Sequence, residues 1–308
     1  MRIAFGALIF LMIYTHASCA QINDKNLEYF DGAFNTVLQN WRSIIHRYLT
    51  QPERKLESAI HYRFIPMPNN FAVSYISQSG QRRIDISYGF VWSLDSLSYA
   101  YATLLESDNP VCYDGYKGYL FPALIDNSKR VQDGEQARGI NDFDLYAMQM
   151  NAACKNLMNN MQPEVVLKVR RDSAAMMDAN LAMILSHELA HQILRHVEHL
   201  PTKLSESRAN EAQADAWAID HSFLIKVEPG AAYTLFVFFA STSGYDAQEE
   251  AQSTHPLGLR RYYDALGMIL NRASDKTFYM QKFGEPMSEE DIQIIQKLRQ
   301  SIKQSLPN

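Results

Sequence analysis

The residues in this chain best suited to chemistry are two histidines enclosing a glutamate, His187-Glu188-Leu189-Ala190-His191. On an α-helix a spacing of four is about 400°, so both imidazoles leave one face, a turn apart. Two ring nitrogens so placed reach one Zn²⁺ at about 2.0–2.1 Å. Glu188 lies about 100° around the helix from His187. It can act on a water at an open zinc position without ligating the metal. A catalytic zinc needs a third protein ligand and keeps its fourth position open. Glu211 is the candidate ligand, twenty residues after His191, with room for the helix to end, turn near "LPTK" and return. Pro201 helps end the first helix because it has no amide donor. Asp215 follows Glu211 by four and shares its face. A carboxylate there can accept a hydrogen bond from the outer nitrogen of a ligating histidine and fix its tautomer. His196 sits about 140° around from His191, so helix phase makes it and His199 exposed residues or partners of the ligands, not ligands. Histidine and glutamate also occur on ordinary solvated helices. Here the surroundings, "AMILSHELAHQIL", are apolar, and a buried His/Glu pair needs partners.

The elements that must position these residues follow from periodicity. A long helix is expected from about Ser173 to Glu198, and a second from about Ser205 to Ile225. Upstream, apolar residues from Leu27 to Leu49 recur at three and four, predicting a helix that stops before Pro52. "NFAVSYIS" (Asn70 to Ser77) and "RRIDISYGF" (Arg82 to Phe90) flank "QSGQ", a hairpin pattern, with a helix from about Ser93 to Glu106 after it. Residues 107–146 hold Asp-Asn-Pro, several glycines and few periodic apolar positions, so they read as irregular. A short helix over residues 147–162 and a strand "EVVLKVR" complete an insertion at about 107–172. "PGAAYTLFVFF" begins a further helix. "SEED" (Ser288 to Asp291) has the capping-box pattern of a last one. The fold class expected is α+β: a mainly helical domain with a small β-sheet beside the active-site helix.

The chain has 308 residues, 47% hydrophobic and 20% charged, an ordinary globular composition. No clear linker divides it, so residues 21–308 read as one domain. A formal charge of −5 argues against a nucleic-acid binder, leaving only a local basic patch. Residues 1–20 read as a signal peptide: Arg2, an apolar run from Ile3 to Tyr14, then Ser18 and Ala20 at the −3 and −1 positions before Gln21. The run is shorter than the roughly 20 residues a bilayer span needs. Lipidation of Cys19 is the less favoured alternative, because His16 stands where a lipobox has an aliphatic residue. Cys112 and Cys154 then remain, and in an exported protein a pair suggests a disulfide. Two buried free thiols are the other option. The most apolar later run, "AAYTLFVFFA", has ten residues and fits a core helix.

"HELAH", "EAQADAWA" (Glu211 to Ala218) and "STHPLGLRRY" (Ser253 to Tyr262) resemble three signatures of the HtpX-like, CAAX-prenyl-protease-like family of zinc metallopeptidases. That family carries His-Glu-x-x-His, a Glu-x-x-Ala-Asp segment, and Thr-His-Pro followed by an arginine. "NNFAVSYISQSGQRRIDISYGFV" resembles its strand, glycine turn and following strand. The likeness covers about residues 60–106 and 173–270. "NEAQAD" also resembles the third-ligand segment of thermolysin, and both belong to the glutamate-ligand zincins. Two departures stand out: the His191 to Glu211 interval is short, and the insertion at about 107–172 is long. The resemblance implies a zincin-type domain with one Zn²⁺ per chain. It implies a protease acting in the periplasm or at membranes on misfolded or unassembled proteins, taking unfolded or extended chains.

On this reading His187, His191 and Glu211 hold the zinc and Glu188 is the general base and acid. His255 stabilises the oxyanion or occupies the open zinc position in a resting form. Arg261 pairs with a carboxylate near the site. Asn70 to Ile76 is either an edge strand that receives an extended substrate or a plain core hairpin. The insertion is a candidate lid. The competing functions are a zinc-dependent chaperone or assembly factor that cleaves little, and a small-substrate metallohydrolase.

Overall fold

The computed structural model describes residues 24–199, 201–227, 233–242 and 258–306. The expected signal peptide, Cys19 and the Thr254-His255-Pro256 segment lie outside them. Helix α1 (Asp24–Ile45) opens the described chain. Its apolar stripe of Phe30, Phe34, Val37, Leu38, Trp41 and Ile45 is buried, as three-and-four spacing requires. Pro52 does not simply end the helical region. It sits in the first turn of a short helix, α2 (Gln51–Glu57), where its missing amide costs nothing. The end of α2 buries Glu57 against Arg42 at 2.7 Å, the Tyr62 hydroxyl at 3.0 Å, and His46.

Three strands follow: β1 (Ile60–Ile65), β2 (Ala72–Ile76) and β3 (Arg82–Ser87), in sheet order β1-β3-β2. The anticipated hairpin is β2 and β3, antiparallel, with Gly80 at φ 80° in its turn. Only a residue without a Cβ takes that φ freely. Strand β1, which the periodicity did not single out, pairs parallel to β3. This makes β3 the central strand, with Ile84 and Ile86 fully buried, and leaves β2 on an edge. Helix α3 (Tyr88–Ser107) starts at the end of β3, five residues before the expected Ser93. The Ser87 hydroxyl caps it by accepting from the Phe90 amide.

The irregular insertion expected at about 107–172 is instead mostly helical. Helices α4 (Val111–Gln132), α5 (Phe143–Gln149) and α6 (Ala152–Asn160) fill it. Of the glycines that suggested irregular structure, Gly115 packs closely inside α4, where a Cβ would come 2.5 Å from the Tyr146 hydroxyl, whereas Gly134 does sit in a turn at φ 77°. Pro122 sits inside α4 without ending it. Tyr116, Leu120 and Phe143 are fully buried, so the segment belongs to the core. A disulfide joins Cys112 on α4 to Cys154 on α6, both buried. The expected strand "EVVLKVR" is also corrected. Pro163 presets the first turn of a helix, and the segment runs unbroken into α7 (Pro163–Ile193). Its β-branched valines are overridden by that continuity.

At 31 residues, α7 is about 46 Å long. It runs through the middle of the molecule, against α3, the sheet, α1, and the helix α8 (Leu204–Leu224) that returns beside it. Helix α9 (Tyr233–Thr242) and helix α10 (Gly258–Ser274) pack on each other and on this centre. Asn180 of α7 ties three helices together. Its amide donates to Ser98 of α3 at 3.1 Å and to Thr234 of α9, and its carbonyl accepts from the Leu235 amide. Helix α11 (Lys276–Phe283) and helix α12 (Glu289–Ser305) complete the described chain. Ser288 caps α12 by accepting from the Asp291 amide, as "SEED" suggested. The architecture is thus mainly helical with one three-stranded sheet, an α+β fold. No helix of the described residues is long and apolar enough to cross a membrane.

Candidate metal centre

Helix α7 presents His187 and His191 one turn apart on a buried stretch. Just before them Ser186 accepts a hydrogen bond from the Trp41 indole at 2.9 Å, pinning this turn to α1. Just after them Gln192, fully buried, pins the other side to the sheet. Its amide donates to the Ser74 hydroxyl at 2.7 Å, and its oxygen accepts from Arg82 at 2.8 Å. The ligand-bearing turn is therefore fixed to both its neighbours. Helix α8 comes back antiparallel in sense and buries Glu211 and Asp215, four apart, against it.

Three side chains converge between the helices. His187 Nε2 and His191 Nε2 are 3.1 Å apart, with Glu211 Oε2 3.4 Å from the first and Glu211 Oε1 3.5 Å from the second. A tetrahedral ion with bonds of about 2.0–2.1 Å separates its ligand atoms by about 3.3–3.4 Å. The donor set, two ring nitrogens and a carboxylate oxygen, suits a divalent metal ion. His187, His191 and Glu211 could therefore hold a metal ion.

Asp215 takes the position behind His187. Its Oδ1 is 3.0 Å from His187 Nδ1, where a small turn of the ring lets it accept the outer N–H and leaves Nε2 facing the triad. Arg261 of α10 clamps Asp215 with two hydrogen bonds, 2.8 and 2.7 Å. The same guanidinium lies 3.7 Å from Glu211. The sequence reading paired Arg261 with a nearby carboxylate, and Asp215 is that carboxylate.

Charge favours a cation here. Glu188, Glu211 and Asp215 are all buried, and among the described buried residues beside them only Arg261 is a permanent cation. Three carboxyl groups against one guanidinium is a setting that a divalent ion would help to balance. The titration of the histidines shows the same pull. Burial opposes a charged His187, but hydrogen bonds to Asp215 and Glu211, with their charges, override it and push its pKa up to about 10. Burial and the neighbouring His187 push His191 down to about 3. Burial alone would raise Asp215, yet Arg261 and His187 hold it down at about 2. One proton on His187 supplies part of the missing positive charge.

The triad opens onto a cleft of about 440 Å³. Glu188 lines it beside His187 and His191, with Arg261 behind. Edge strand β2 and the residues leading into it, Asn70 to Ser74, form one border. Phe71, Phe90, Ile184, Phe238 and Phe239 make an apolar wall. Among the described residues that line the cleft none comes from 107–172, so the candidate lid lies elsewhere, in the core.

The structure thus brings together His187, Glu188, His191, Glu211, Asp215 and Arg261. His255 falls outside the described residues. His199 is exposed on the surface. His196, read from phase as exposed or a partner of the ligands on a helix to Glu198, is a partner of His191. Helix α7 ends at Ile193, and Arg195 adopts a left-handed φ of 63°. The chain folds back, and His196 reaches His191. Gln192 went unremarked because a glutamine on an apolar helix gives no pattern. No protein-family model, curated protein or solved structure matches this chain.

Proposed function

We propose that the chain is a zinc-dependent endopeptidase of exported or membrane-associated proteins, similar to the HtpX-like, CAAX-prenyl-protease-like metallopeptidases and serving protein quality control. The observation that carries this is the convergence of His187, His191 and Glu211 at the floor of a cleft that Glu188 also lines. A zinc ion held there would polarise a scissile carbonyl and acidify a water. Glu188 accepts the proton of that attacking water and returns it to the leaving amine. Asp215 keeps His187 turned toward the triad, and Arg261 keeps Asp215 charged and in place. The edge of β2 offers main-chain hydrogen bonds to an extended peptide, which favours unfolded substrates. The apolar wall of Phe71, Phe90 and Phe238 suits a bulky hydrophobic side chain near the cut bond. The disulfide agrees with an exported, oxidising location.

The test is metal analysis and digestion of unfolded casein by the purified chain. Wild type is expected to carry one zinc and to cleave, with a chelator abolishing cleavage. Glu211→Gln should lose stoichiometric zinc. Glu188→Gln should keep the zinc and lose roughly 10²–10⁴-fold in rate. Digestion unchanged in Glu188→Gln would overturn the reading. A zinc-loaded wild type that binds casein without cutting it would favour the chaperone instead.

A further inference from the structure

The two ligating histidines are oriented by different means. His187 has a carboxylate behind it, Asp215. Among the described residues, no such carboxylate stands behind His191. Its outer nitrogen, Nδ1, lies 3.1 Å from Nδ1 of His196. The far nitrogen of that ring, His196 Nε2, lies 3.4 Å from the side-chain oxygen of Gln213. The two imidazoles meet edge to face, with ring centroids 5.1 Å apart.

We propose that His196 and Gln213 are positioning residues that fix the tautomer of His191. The inference rests on the metal-centre reading above, and its logic is hydrogen-bond polarity. A glutamine oxygen only accepts, so His196 Nε2 must carry the proton. In a neutral ring the other nitrogen is then an acceptor, which makes His196 Nδ1 a lone pair aimed at His191. His191 Nδ1 must therefore carry its own proton. That leaves the lone pair on His191 Nε2, the atom 3.1 Å from His187 Nε2 and 3.5 Å from Glu211. The chain of bonds closes with one polarity, and it is the polarity a metal ligand needs.

The backbone is shaped for this contact. Had α7 continued, His196 would face about 140° away from His191. The left-handed Arg195 turns the chain back instead, and the His196 amide donates to the His191 carbonyl at 2.9 Å. A non-glycine residue at positive φ is uncommon and costs on the order of 1 kcal/mol or more. Gln213 stands two residues after Glu211 on α8. The helix that supplies the third ligand therefore also supplies the end of the chain that orients the second.

The test uses the full chain, with Zn²⁺ alone as probe and Co²⁺ as a spectroscopic one. His196→Phe keeps a ring and removes the acceptor, whereas His196→Gln returns an acceptor oxygen. His196→Phe is expected to weaken zinc binding by about 10–100-fold, with His196→Gln recovering much of it. Nitrogen NMR of the metal-free protein should show His191 with its proton on Nδ1 in wild type, and a tautomer mixture in His196→Phe. The Co²⁺ spectrum should shift in His196→Phe. Thermal melting checks that each variant is folded. Should His196→Phe melt early, Gln213→Leu carries the same test with a smaller loss. Wild-type affinity together with an unchanged His191 tautomer in both variants would overturn the proposal. A wild type that binds no zinc would overturn the metal centre and this proposal together. A wild type that binds zinc but cleaves nothing would overturn the protease reading and leave the His196 result standing.

Discussion

Proton and metal compete for His187. Its pKa stands near 10 despite burial, because Asp215 and Glu211 hold the charged form. A histidine must be unprotonated to ligate. Below that pKa each unit of acid therefore makes the ring less available, by about tenfold. Zinc affinity should climb by about a factor of ten per pH unit from pH 6 to 8, beyond what His191 requires. Competition with a metal indicator across that range checks this. A flat profile would mean that His187 is already neutral and that Asp215 does less than its 3.0 Å contact suggests. Glu188 is the other residue whose role rests on its exact neighbours. It lines the cleft next to His187 and is largely buried, so little of its carboxyl meets bulk solvent.

At the scale of elements, two attachments decide whether the site keeps its shape. The first is the contact between α9 and α10. A Cβ at Gly258 would come 1.9 Å from the Phe239 carbonyl oxygen, so the helices touch there backbone to backbone. Gly258→Ala must push α10 away, and Arg261 moves with it. We expect a destabilisation of about 1–3 kcal/mol and a weaker zinc site, read by melting and by metal titration. Stability falling while zinc affinity stays level would show that Arg261 is held by other means. The second is the disulfide between α4 and α6. Its ends are 42 residues apart in sequence, and closing such a loop stabilises by about 4 kcal/mol in the chain-entropy account. Cys112→Ser should lower stability by about that amount. Zinc affinity should change little, because no residue of α4 or α6 lines the cleft. A large loss of zinc binding on reduction would show that the helices act on the site through the core.

Among the described residues, the half-buried acid Asp95 works against the stability of the molecule. Asp95 on α3 has its pKa pushed up to about 6 by burial, and further by the charges of Asp142 and Asp144 at the start of α5. Raised above the usual carboxylate value of 3.8, the folded form binds its proton more tightly than the unfolded chain. That favours folding below about pH 4 and is lost as pH rises through about 6. The difference corresponds to about 3 kcal/mol between the two ends. Asp95→Asn should therefore raise the melting temperature at pH 7–8 and leave it nearly unchanged at pH 4. Equal shifts at both would show that the carboxylate is ionised and satisfied throughout.

Spacing along the chain was enough to name His187, Glu188, His191, Glu211 and Asp215, because a fixed helical period converts sequence distance into direction. It also gave the β2–β3 hairpin, α1 and the capped α12, whose signals are local. The failures were equally physical. The valines after Pro163 read as a strand, and residues 107–146, with their glycines, read as irregular. What placed them in helices was the continuity of α7 and, at Gly115, close packing against Tyr146, which no local window contains. Strand β1 exists because β3 pairs with it, and β2 became the free edge only once that pairing was made. Helix phase left His196 exposed or a partner of the ligands, and a single left-handed residue brings it to His191. Sequence determined which side chains share a helix face. Only tertiary structure decided where α7 stops, which strand borders the cleft, and which atoms stand behind each ligand, since these depend on contacts between segments far apart in the chain.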